Sequence, residues 1–134
     1  MDIERELHAY LNEAAAARST VSVDRLMYLS MKEKEALKKL IEMAVHYFEL
    51  KKVILFGSKA RGDHNNDSDI DIVLLVGNTV GAREKNLRSD ISSMVQLKTD
   101  IYISCKIYNE NDWDKGKDLP LQRSVEREGI VLEY

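Results

Sequence analysis

Residues 53–76 read VILFGSKARGDHNNDSDIDIVLLV. The apolar run Val53 to Phe56 stops at Gly57-Ser58, and a polar loop rich in glycine and asparagine carries the chain past Asn66. From Asp69, acid alternates with isoleucine before the chain becomes wholly apolar through Val76. A short apolar run closed by glycine reads as a buried strand. Alternation that passes into continuous apolar residues reads as a strand entering a sheet interior. The stretch therefore predicts two strands around one polar loop.

Helical periodicity lies on both sides. Upstream, Ser30 and Glu33 have the spacing of a capping box, and Leu37, Leu40, Ile41, Ala44, Val45 and Phe48 recur on one helical face. Further upstream, Ile3, Leu7, Tyr10, Leu11 and Ala14 predict a helix over 1–19, with 19–29 ambiguous. Downstream, Leu87, Ile91, Met94 and Val95 mark a helix. Asp100 to Ile107 alternates as a strand, with Ile101, Ile103 and Cys105 inward. Asp118 and Pro120 open a last helix that Gly129 stops, and residues 130–132 form a final strand. The expected fold class is α/β (α+β), a small sheet flanked by helices, with residues 1–29 as an N-terminal helical extension and 30–134 as the main domain.

A chain of 134 residues is long enough for one core. Twenty Lys+Arg against 23 Asp+Glu give a formal net charge of -3, so no basic field grips nucleic acid unselectively. No apolar run approaches a membrane span. The single cysteine, Cys105, fits a reducing cytoplasm and reads as a buried, inert thiol. Trp113 reads as a packing residue, and His8, His46 and His64 do not form a metal set.

The chemistry concentrates in the central loop. A phosphate-binding P-loop needs Lys then Ser/Thr after its second glycine, whereas Asp63 and His64 follow Gly62. A calcium loop from Asp63 would have Asn65 and Asp67 in register but lacks glycine at Ser68 and glutamate at Leu74. What remains is a carboxylate pair. Asp69 and Asp71 project from one strand face about 6–7 Å apart, with Ile70 and Ile72 fixing the register by pointing inward. If the strand from Asp100 pairs beside them, a third carboxylate joins the cluster. Two carboxylates about 4 Å apart repel by roughly 4 kcal/mol at an effective dielectric of 20. A hard divalent cation with oxygen ligands offsets that repulsion. Gly57 after a buried strand lets backbone approach a ligand closely. A turn through Ser58 to Arg61 would aim N–H groups at a phosphate, with Lys59 and Arg61 adding positive charge. Asp69, Asp71 and Asp100 with Gly57, Ser58 and Arg61 are thus the candidate site.

Gly57-Ser58, ten intervening residues, then Asp69-Ile70-Asp71 resembles the signature of the DNA polymerase β-like nucleotidyltransferases. The surrounding sequence is similar to the minimal nucleotidyltransferase (MNT) branch, from about Ser30 to Tyr134, including the Asp100 strand and the ending REGIVLEY. The resemblance implies a mixed sheet with flanking helices and a two-metal site. In it, Asp69, Asp71 and Asp100 would ligate Mg²⁺, Gly57 and Ser58 would hold the β- and γ-phosphates of ATP, and Arg61 would lie in the same turn. It also implies a cytoplasmic antitoxin of a type VII-like pair, which transfers AMP from ATP to a tyrosine hydroxyl of a HEPN ribonuclease toxin. No direct nucleic-acid or membrane partner is expected. Two alternatives stand beside it: a catalytically silent binding module that neutralises its partner by contact, and a nucleotidyltransferase acting on a small molecule. The leading helix would serve as a docking element for the partner or as a lid on the sheet.

Overall fold

The structure, a computed structural model, describes residues 20–63, 65, 68–116 and 120–134. The helix expected over 1–19, His64 in the central loop and the start at Asp118 lie outside the described residues.

Ser30 opens helix α1 (Met31–Tyr47) as its capping-box spacing predicts. Its hydroxyl accepts from the Glu33 N–H at 3.1 Å, and the Glu33 carboxylate accepts from the Ser30 N–H at 2.9 Å. Leu37, Leu40, Ile41 and Ala44 are buried, whereas Val45, expected on the same face, is 50% exposed. Strand β2 (Leu50–Phe56) ends at Gly57, and the single helical turn α2 (Ser58–Arg61) follows. Strand β3 (Ile70–Val76) leads into α3 (Ala82–Thr99), then β4 (Ile103–Asn109), the short helix α4 (Glu110–Lys115), α5 (Pro120–Glu128) and β5 (Ile130–Glu133).

The sheet is mixed and five-stranded, in the order β1-β5-β2-β3-β4, where β1 is the two-residue strand Val21–Ser22. β2 is antiparallel to both β3 and β5, while β1 with β5 and β3 with β4 run parallel. β1 is part of the sheet, and Val23, Leu26 and Leu29 are buried in the main core with α1.

Period-two alternation splits the interior into two layers. Ile70, Ile72, Leu74 and Val76 of β3 point into the larger core beneath α1 and α3, with Ile103, Cys105 and Ile107 of β4 beside them. Val73 and Leu75 point the other way and pack with Ile54, Phe56, Trp113 and Val125 under α4 and α5. Asp71 shares the parity of Val73 and Leu75, so it belongs to this second face. Among the described residues, no helix is long and apolar enough to cross a membrane.

Candidate active site

The site lies where β2 ends and β3 begins, adjacent antiparallel strands in which Phe56 pairs with Asp71. That pairing brings the Gly57 corner against the acid. Gly57 has φ 76° and ψ -161°, backbone that is essentially restricted to glycine. A Cβ at Gly57 would overlap the Asp71 Oδ2 and lie 3.3 Å from its Cγ. Conformation and space thus both exclude a side chain here.

Ile70 and Ile72 are 1% and 0% exposed, which aims the flanking acids away from the main core. Asp69 is exposed just ahead of β3, and Asp71 is half-buried as its second residue. Burial first, then the neighbouring Asp69 charge, holds the Asp71 carboxyl above the ordinary aspartate range; Lys106 and Arg61 pull it back in part. A pair of oxygen-donor carboxylates whose repulsion is only partly countered fits a hard divalent cation. Magnesium is therefore compatible with the donors present, Asp69 and Asp71.

Asp100 lies ahead of the β3–β4 ladder. The expected strand from Asp100 begins only at Ile103, and Asp100 instead caps α3 in the left-handed conformation, φ 61°. The Thr99 hydroxyl donates to the Val95 carbonyl and accepts from the Ile101 N–H, so the chain leaves the helix through a bonded turn before the ladder starts. The residue opposite Asp71 on β4 is Ser104. Among the described residues, no three His, Cys, Asp or Glu side chains gather in a way that could hold a metal.

The basic residues of the turn divide. Lys59, expected to add charge at the phosphate, is 7% exposed and turned onto α1, where its ammonium lies 2.9 Å from the Glu33 carboxylate. Arg61 stays at the site. Its Nε donates to both oxygens of Asp63 at 3.2 and 3.1 Å, and its Nη1 to both of Glu128 at 2.9 and 3.0 Å. Glu128, the last residue of α5, also accepts from the Gly57 N–H at 3.3 Å. Periodicity does not reveal Glu128 or Lys106 as site residues. The Glu128 contact spans 71 residues of chain, and Lys106 reaches Asp71 only through the pairing of two strands. Cys105 is buried, and burial pushes its thiol up to about 12. Trp113 packs against Tyr108 in the second core, as its reading as a packing residue requires.

The family model for polymerase beta nucleotidyltransferases matches residues 38–132. MJ0604 of Methanocaldococcus jannaschii, whose name reads "Putative protein adenylyltransferase", is 33% identical over 104 residues, 76% of this chain and 99% of that relative. MJ0141 of the same organism carries the same description and is 45% identical over 62 residues, 46% of this chain but only 63% of that relative's length. Among solved structures, a toxin–antitoxin crystal structure with AMP-PNP aligns at TM-score 0.53 and 21% identity, covering 72% of this chain and 71% of that one. A complex of tri-AMPylated Shewanella oneidensis HEPN toxin with MNT antitoxin aligns at 0.51 and 19%, covering 77% and 72%. At those identities the structures share the fold.

Proposed function

This chain belongs to the polymerase β nucleotidyltransferase family, and we propose that it transfers AMP from ATP to a hydroxyl group, its acceptor a tyrosine of a HEPN ribonuclease. The reaction would take place in the cytoplasm, with the chain as antitoxin and the ribonuclease as toxin. One observation carries the reading: the glycine corner and the acid are in direct contact, so a triphosphate on the Gly57-Ser58 turn would lie beside Asp71.

In that arrangement the Gly57 and Ser58 backbone approaches the β- and γ-phosphates, which the missing Cβ permits. Arg61, placed by Asp63 and Glu128, supplies positive charge at the phosphate end. Asp69 and Asp71 would hold Mg²⁺, which when bound supplies neutralisation of phosphate charge and polarisation of the phosphorus centre. The acceptor oxygen forms a bond to the α-phosphorus as the bond to the β-phosphate oxygen breaks, pyrophosphate leaves, and the hydroxyl proton passes to solvent.

The position of Asp100 favours one other reading. With Asp100 in the turn ahead of β4, a binding module that silences its partner by contact is also accommodated. The test is incubation with ATP labelled at the α-phosphate, Mg²⁺ and the protein encoded by the neighbouring gene. Transfer predicts label on that protein, lost together with protection in Asp69→Ala and Asp71→Ala. Protection without label, unchanged in Asp71→Ala, would establish the binding module instead.

A further inference from the structure

The reading above places phosphates on the β2 side of Asp69 and Asp71, and an in-line displacement brings the attacking oxygen from the side opposite the leaving group. In this sheet the opposite side is β4, because the order runs β2-β3-β4. Parallel pairing sets Ile70 against Ile103 and Asp71 against Ser104; Asp69 and Tyr102 are the residues that immediately precede this ladder on the two strands. Parallel neighbours lie about 4.8 Å apart in the sheet. Ile103 is buried in the main core and Ile101 is partly buried against it, so an extended chain through 101–103 would carry Tyr102 on the side of the acids. Tyr102 is 48% exposed, against 7% for Trp113 on the same face, so packing does not hold its ring away.

We propose that Tyr102 is itself an acceptor, and that the chain adenylylates its own tyrosine when the partner is not engaged. The inference rests on the transfer reading above. In the step, the Tyr102 phenolic oxygen bonds to the α-phosphorus of ATP, the bond between that phosphorus and the bridging oxygen to the β-phosphate breaks, and pyrophosphate departs. The phenolic proton passes to solvent, directly or through Asp69. The product is an O-phosphodiester of AMP on Tyr102, which places a nucleotide across the entrance from β4 and slows transfer to any other acceptor.

The test uses the whole chain with Mg²⁺ and ATP labelled at the α-phosphate, first alone and then with the protein encoded by the neighbouring gene. Label is expected on the chain alone, in the peptide containing Tyr102. Asp71→Asn abolishes it, and Tyr102→Phe reduces it at least tenfold while still labelling the partner. Self-label that persists in Tyr102→Phe overturns the proposal. Absence of self-label in a preparation that labels the partner overturns it too, and leaves the transfer reading standing. A preparation that labels neither protein overturns both.

Discussion

Gly57 and Asp71 occupy each other's space: the carboxylate oxygen of Asp71 fills the volume in which any side chain at position 57 would begin. The Gly57-Ser58 turn and the acid are therefore one packing unit, and a change at either is felt at both. Gly57→Ala combines this overlap with a backbone conformation that costs an L-residue about 1–3 kcal/mol. We expect a loss of about 2 kcal/mol or more in urea unfolding. Nucleotide transfer should fall below detection even where the variant is fully folded.

Asp71→Asn is expected to stabilise the chain in the absence of metal and to abolish Mg²⁺-dependent labelling. Burial and Asp69 raise the folded-state value, so the native chain binds the proton more readily than the unfolded one, and the ionised group opposes folding above the ordinary aspartate range. The advantage of the variant should shrink as pH falls into the carboxylate range. Thermal unfolding at neutral pH and near pH 4 without divalent ions measures it, and equal melting temperatures at neutral pH would refute it.

Lys59 and Glu33 tie the turn Ser58–Arg61 to the start of α1. Lys59→Met leaves the Glu33 carboxylate mostly enclosed without its ammonium partner, at a cost of about 3 kcal/mol. Pairing it with Glu33→Leu should recover part of the loss, since no unpartnered charge remains although the Ser30 N–H loses its acceptor. Burial pushes Glu33 up, but the Ser30 N–H and Lys59 together hold it below the ordinary glutamate range. The stabilisation from this pair is accordingly present above that range and lost as pH falls through the depressed value. Urea unfolding of the single and double variants at two pH values tests both statements.

Cys105 should resist thiol reagents in the native chain at neutral pH and react at once after unfolding. Its thiol is pushed up to about 12 from an ordinary value of 9.0, so the native state keeps its proton where the unfolded state has lost it. Stability from this group is complete below about pH 9 and declines as pH rises toward 12. Cys105→Ala should flatten that alkaline decline.

Local chemistry made much of this fold legible. The Ser30–Glu33 spacing marks the start of α1 to the residue, because both partners of a capping box lie within one turn. The isoleucines flanking Asp71 fix its face, because a one-residue slip would bury acids. Asp100 was not legible for a physical reason: alternation at Ile101 and Ile103 continues through a turn bonded by Thr99, which periodicity cannot distinguish from a ladder. Lys59 misleads similarly, since a basic residue beside a glycine turn reads as a phosphate ligand until α1 is seen to present Glu33. Glu128 contacts Gly57 only after the sheet has assembled, and no local pattern encodes it.

The position of β5 between β1 and β2 sets an order of events during synthesis. Val21 and Ser22 have no neighbouring strand to join until Leu132 and Glu133 have emerged from the ribosome. Val21 and Ser22 must therefore wait for β5, about 110 residues further along, before they join the sheet. Cells that shorten that wait, by faster elongation or by chaperone capture of the nascent segment, should yield more native protein.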